Sequence, residues 1–363
     1  MIKVPDYIRE LKPYVPGRSI EEIKKEYHLD TIHKLASNEN PLGPSPKALK
    51  AMQDAFANVH RYPDIGAIAL RTEIAERFNV EIDNVAVGNG SEGIMAVIMR
   101  AFLTPGDEII SSEATFIGFQ VLVRGRANKC HYVPMPHDTY KFDLDAIANA
   151  ITPKTKMIYL CNPNNPTGTI FTKEEFDVFI KKVPEDILVL LDEAYYEYAF
   201  GREGYPDSMD YRLDNIITLR TFSKAYGIAG IRVGYALAHR DLVEIIMKVK
   251  LPFEPGNVAQ AGALASLEDT EFLAKTREIN STGYEYLTKE FTALGLKWFP
   301  SYANFILIDM GLEADVLTLN EELLEQGVII RPLKPFGLPT CIRVTIGIRS
   351  ENEFLVKALK NVL

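Results

Sequence analysis

The sequence predicts an α/β fold: a mostly parallel sheet covered by helices on both faces, followed by a smaller α+β domain. Three features predict it. Short apolar runs alternate with helical patterns through the middle of the chain, from "NVAV" (84–87) to "VGYALA" (233–238). Those runs are continuously apolar, as expected of parallel strands buried on both faces. After about residue 255 the alternation gives way to two helical segments followed by shorter strands and helices, an α+β pattern.

Taken in order, residues 1–40 are Pro-rich and irregular, with "LKPYVPG" leading to "NENPLGPSP", and read as an arm rather than a core element. "NVAV" precedes a helix from about Ser91, and "EIISS" (108–112) precedes another from about Phe116. "KMIYLC" (156–161) leads to "TKEEFDVFIKKV" (172–183), where Thr172 and Glu175 form a capping box. "DILVLLD" (186–192), "NIITLR" (215–220) and "VGYALA" complete the sheet. Beyond 255, "NVAQAGALASLED" (257–269) and residues 270–294 read as helices. "NFILI" (304–308) is a strand, and "ADVLTLNEELLEQG" (314–327) is a helix closed by Gly327. "GVIIRPL" (327–333) and "CIRVTIG" (341–347) are strands, and Ser350 with Glu353 caps a terminal helix. The division is an arm over 1–40 that contributes to the small domain and to a dimer, a large domain over 41–254 and a small domain over 255–363.

The 363 residues are 47% hydrophobic and 25% charged, the composition of a soluble globular protein. A net charge of −9 argues against nucleic acid or an acidic membrane as partner. The start, "MIKVPDYIRE", has no apolar h-region, so no signal peptide is expected. No apolar run approaches a membrane span. Cys130, Cys161 and Cys341 are scattered, without disulfide framework or zinc spacing, which predicts a cytoplasmic protein. The histidines form no metal motif, and no metal is expected.

Four stretches place unusual residues just after strands, where ligands bind in such sheets. The first is the turn at 88–93, "GNGSEG". Its glycines fit a dinucleotide fingerprint, and Glu113 lies 113 − 93 = 20 residues beyond the last of them. It also misses a hydrolase nucleophile elbow by one residue. The second is "CNPNNPTG" (161–168), the third "LLDEAYYEY" (190–198) and the fourth "TFSKAYGIAGIRVGYA" (221–236). Singly, each residue has a plain reading: a solvated Lys224, an N-cap at Asp192, turn chemistry at Asn165, an ion-pair Arg232 and a half-buried Tyr195. Together they match the needs of pyridoxal 5'-phosphate. That cofactor needs a lysine amine for its aldehyde, a carboxylate for its pyridine nitrogen and donors to its ring hydroxyl. Its phosphate needs a helix N-terminus, hydroxyls and an arginine. A dinucleotide reading accounts for the glycines and leaves Lys224, Asp192, Asn165 and Arg232 unexplained.

On these stretches the chain resembles the fold-type I pyridoxal-phosphate aminotransferases, from "LASNENPLGPSPKALKAM" to "CIRVTIGIRSENE". "LKPYVPGRSIEE", "SYANFILI" and "GVIIRPL" are most similar to the histidinol-phosphate aminotransferase subgroup. The resemblance implies that Lys224 is the Schiff-base lysine and that Asp192 meets the pyridine nitrogen. It implies that Asn165 and Tyr195 contact the ring hydroxyl. The phosphate falls to Ser91, Glu92, Thr221, Ser223 and Arg232, with Tyr62 reaching the cofactor of a partner in a homodimer. Phe116 takes the place of the ring stacked on the pyridine, where the family more often has Tyr. Arg343 matches the arginine for the substrate's anion, and Arg331 and Tyr14, with Asn165, complete the substrate set. The implied reaction is ping-pong transamination between L-histidinol phosphate and 2-oxoglutarate in histidine biosynthesis. An aromatic amino-acid aminotransferase is the alternative within the family, and a dinucleotide-dependent oxidoreductase the alternative outside it.

Overall fold

A computed structural model describes residues 2–11 and 18–363. Seven strands form the main sheet, in the order Val85–Gly88, Gly234–Ala238, Ile216–Thr221, Leu188–Asp192, Thr155–Cys161, Glu108–Ser112 and Lys129–Val133. Only Gly234–Ala238 runs against its neighbours; the remaining pairings are parallel. Ile109, Ile158, Leu190 and Ile217 are completely buried, as a sheet covered on both faces requires.

This topology brings the four unusual stretches to one edge. Cys161 is in register with Asp192, and Asp192 with Leu219, two residues before the end of its strand at Thr221. The antiparallel strand begins at this same edge, and its Gly234 pairs with Gly88. The strand carrying the glycine turn therefore has an antiparallel partner among the described residues. A dinucleotide fingerprint requires a parallel βαβ unit at that point, so the structure corrects that alternative.

A second, antiparallel sheet takes the order Arg331–Pro332, Cys341–Thr345, Phe305–Asp309 and Lys297–Trp298. The helix Thr270–Ala293 and the terminal helix Arg349–Val362 cover it, with Leu287, Phe291, Leu355 and Leu359 buried in its core. The stretch 327–333 is not one strand. Val328–Ile329 pairs in parallel with His33–Lys34, and only Arg331–Pro332 joins the second sheet.

Three further expectations are corrected. The arm contains a helix, Ile20–Tyr27, opened by a reciprocal box: the Ser19 Oγ accepts from the Glu22 N–H and the Ser19 N–H donates to the Glu22 carboxylate. Its Ile23 is buried against Ala36, Leu324 and Ile329, so this part of the arm is core. The terminal helix begins at Arg349, so Glu351 rather than Glu353 accepts from the N-cap N–H of Ile348 at 2.9 Å. Glu353 instead pairs with Arg349 one turn away. Finally, the helix Asn257–Leu267 lies beyond 255 but packs Ala259, Ala263 and Leu267 against Val85, Val87 and the helices Pro46–Ala55 and Ile68–Phe78. Its small residues permit that close approach to the main sheet's covering layer.

No helix among the described residues is long and apolar enough to cross a membrane. No group of described residues has the makings of a metal site.

Candidate active site

The glycine turn is compressed from two sides. Helix Gly90–Phe102 starts without a side-chain cap from Asn89, leaving its first-turn N–H groups open. Gly90 has φ +76°, and a Cβ there would sit 2.7 Å from a guanidinium nitrogen of Arg232. A Cβ on Gly234 would lie 2.5 Å from the Ser91 nitrogen. The glycines thus press the helix start against Arg232 and the neighbouring strand. Arg232 donates to Ser223 Oγ at 3.1 Å, and Thr221 Oγ1 to the same oxygen at 3.1 Å. The Glu92 carboxylate points aside, toward Gly118.

Ser91, Glu92, Phe116, Asn165, Asp192, Tyr195, Thr221, Ser223, Lys224 and Arg232 all line one cavity of about 100 Å³. Asp192 lies at its floor, buried. Its Oδ2 accepts from the Tyr159 hydroxyl at 2.8 Å and its Oδ1 from the Ala194 N–H at 3.2 Å. Burial nevertheless pushes its carboxyl up to about 6. Lys224 is partly buried, with its amine 3.5 Å from the Ser37 carbonyl. Burial, seconded by the Arg343 cation, pushes that amine down to about 8. The two groups meant to meet a pyridine nitrogen and an aldehyde thus both titrate nearer neutrality than usual.

The "CNPNNPTG" loop is pinned by its own side chains. Asn162 Oδ1 accepts from the Phe171 N–H, and Asn164 donates to Thr167 Oγ1 and the Ala114 carbonyl. Asn165 is left facing the cavity, where its Oδ1 accepts from Arg343. Arg343 also donates to the Ala36 carbonyl at 2.7 Å. The buried Tyr195 hydroxyl accepts from Asn38 Nδ2 at 2.9 Å.

Beside this lies a second cavity of about 200 Å³, which shares Phe116, Asn165 and Lys224 with the first. Arg331 and Arg343 are directly opposed across antiparallel strands, so both side chains leave the same face. Arg18 and Lys34 line it too, paired with Glu26 and Glu39 respectively. Arg331 Nη2 is buried and has no hydrogen-bond partner among the described residues.

The donor set fits pyridoxal phosphate. Open helix N–H groups, two hydroxyls and a guanidinium suit a phosphate dianion, and a buried carboxylate and a near-neutral amine suit the ring and aldehyde. Two expected residues stand apart. Tyr62 is 79% exposed, stacks on Phe253 at 4.2 Å and lines neither cavity. Tyr14 lies outside the described residues. Asn38, Tyr159, Arg18 and Lys34 were not singled out by the sequence. Asn38 lies in "LASNEN", where an asparagine reads as turn chemistry; Tyr159 reads as an ordinary strand aromatic.

The family model described as aminotransferase class I and II matches residues 30–359. The chain is 44% identical over 360 residues to the histidinol-phosphate aminotransferase 2 of Pseudomonas fluorescens, covering 98% of this chain and 96% of that one. It is 42% identical over 367 residues to the histidinol-phosphate aminotransferase of Moorella thermoacetica, covering 99% and 93%. The crystal structure of histidinol-phosphate aminotransferase from Sinorhizobium meliloti, in complex with pyridoxal-5'-phosphate, matches with a TM-score of 0.90 at 27% identity, over 100% of this chain and 98% of that one.

Proposed function

The chain belongs to the class I and II aminotransferase family, and from that membership we propose that it transfers the amino group of L-histidinol phosphate to 2-oxoglutarate using pyridoxal 5'-phosphate. The observation that carries the substrate is the second cavity: four basic residues besides Lys224, and no acidic one, line it. Arg343 alone would serve the carboxylate of glutamate. A second, opposed guanidinium with a buried nitrogen lacking a partner among the described residues calls for a dianion.

When bound, pyridoxal phosphate supplies an aldehyde for the donor's amine and a ring that takes up electron density. Ser91, Glu92, Thr221, Ser223 and Arg232 hold its phosphate in this reading. Asp192 holds a proton at the ring nitrogen, Asn165 and Tyr195 orient the ring hydroxyl, and Phe116 packs on the ring face. Lys224 would hold the cofactor's aldehyde through its amine. The same amine is placed to act as acid and base, taking the proton from the donor's amine-bearing carbon and delivering it to the aldehyde carbon. Arg331 and Arg343 fix the donor's phosphate at a distance from that carbon, and Arg343 then serves the smaller acceptor.

A homodimer is part of the proposal. Phe56, Val59, Tyr62, Ile65 and Ile68 are exposed within one short stretch, which favours a covered apolar surface. A cytoplasmic location is consistent with the three free cysteines.

The test compares kcat/KM for L-histidinol phosphate, phenylalanine and tyrosine in the wild type and in Arg331→Ala. Histidinol phosphate should be preferred. Losing one charged hydrogen bond to the phosphate should reduce that half-reaction by about 10–150-fold, and the glutamate half-reaction much less. Equal losses in both, or a preference for phenylalanine, would replace this reading with an aromatic amino-acid aminotransferase.

A further inference from the structure

Tyr159 lies on the strand Thr155–Cys161, two residues before Cys161, the register partner of Asp192. With a period of two, Tyr159 and Cys161 face the same side. The Tyr159 ring is completely buried and stacks on Phe119, with centroids 3.9 Å apart and planes 9° from parallel. The hydroxyl at the end of this immobilised ring donates to Asp192 Oδ2 at 2.8 Å. It is the shorter of the two hydrogen bonds on that carboxylate, the other coming from the Ala194 N–H.

We propose that Tyr159 is a positioning residue, whose hydroxyl keeps the Asp192 carboxylate ionised and aimed at the ring nitrogen of pyridoxal phosphate. The proposal rests on the cofactor reading above. A buried carboxylate with few donors protonates and rotates freely. A phenol on a stacked ring opposes both, donating to the ionised form and fixing the direction of one carboxylate oxygen. Lys224 also favours the ionised carboxylate and Glu92 opposes it. Cys161 and Tyr195, the other titratable neighbours, are themselves held protonated by burial. Burial likewise keeps Tyr159 protonated, so it remains a donor over the working pH range.

Tyr159→Phe keeps the ring and its stack and removes only the donor. Asp192 titrates higher in the folded chain than in the unfolded one, so folding loses stability as pH rises from the unfolded value, about 4, to the folded value, about 6. Without the phenol that window extends upward by about one to two pH units. In the full chain freed of cofactor, the melting-temperature gap between wild type and Tyr159→Phe should therefore widen from pH 5 to pH 8. In an Asp192→Asn background it should not. The dissociation constant for pyridoxal phosphate should rise by about tenfold in Tyr159→Phe at pH 7. A gap of equal size at both pH values, or unchanged affinity, overturns the role of Tyr159. Failure of the unaltered chain to bind pyridoxal phosphate at all overturns the cofactor reading instead, whatever the melting gap does.

Discussion

At the residue scale, the site works by moving two titrations toward neutrality. Lys224 is the clearer case, because burial and the Arg343 cation act in the same direction. A lysine whose folded value is depressed is cationic below that value and neutral above it. Only the neutral amine attacks an aldehyde. Covalent capture of pyridoxal phosphate by the cofactor-free chain should accelerate as pH rises to about 8 and then level off, followed by absorbance in the visible. Borohydride reduction should leave the label on the peptide containing Lys224. A label on another lysine, or a rate still climbing at pH 10, would count against the assignment. Tyr195 is held by Asn38, a residue of left-handed backbone anchored to Thr345 of the second sheet. The arm thus reaches Tyr195 through Asn38, and Lys224 and Arg343 through the carbonyls of Ser37 and Ala36.

At the element scale, the phosphate cradle depends on a strand pressed against a helix start. A methyl group on Gly234 would meet the backbone of Ser91 and Gly90, at 2.5 and 2.7 Å, rather than a movable side-chain end. Overpacking of this kind destabilises by about 1–3 kcal/mol. Gly234→Ala should lower the melting temperature and weaken pyridoxal phosphate binding by about tenfold or more, since 1.4 kcal/mol is roughly a factor of ten. Gly230→Ala, with nothing within 4 Å of its added carbon, should change neither. If Gly234→Ala binds the cofactor normally, the helix start is not the phosphate site. The buried ion pair on the opposite face reinforces the same strand ends. Arg220 Nε donates to Glu193 at 2.9 Å, joining the residue before Thr221 to the residue after Asp192. Arg220 also pairs with Asp207 at 3.0 Å, so it is removal of Arg220 that would leave the buried Glu193 carboxylate uncompensated, at a penalty of about 3–5 kcal/mol.

At the scale of the whole molecule, the exposed Tyr62 is the test of assembly. It stands with Phe56, Val59, Ile65 and Ile68 on the surface, away from the cavity of its own chain. If its hydroxyl completes the site of a second copy, Tyr62→Phe and Lys224→Ala carry lesions that fall in different sites of a mixed dimer. Mixing the two weakened variants, with subunit exchange demonstrated, should restore up to a quarter of wild-type activity, the statistical share of intact sites when half the dimers are mixed and each keeps one. No recovery, or a fully active monomer in sedimentation, would rule out shared sites.

The sequence alone determined the central strands and the residue types at their ends. Those signals are local: a buried strand reads as a continuous apolar run, Asp192 ends such a run, Asn165 and Lys224 follow one within a few residues, and Arg232 comes just before one. The helix Ile20–Tyr27 was equally local, its Ser19–Glu22 box standing in plain view beside the prolines that led the arm to be read as irregular. Tertiary structure decided the rest. Whether Tyr159 is packing or a donor depends on a carboxylate 33 residues away on the next strand. The tie from Asn38 to Tyr195 spans 157 residues, and the small-residue helix Asn257–Leu267 joins the main sheet's layer only because that layer offers a matching surface. A hydrogen bond across such a separation leaves no pattern in the chain, because neither residue type changes when its partner is found.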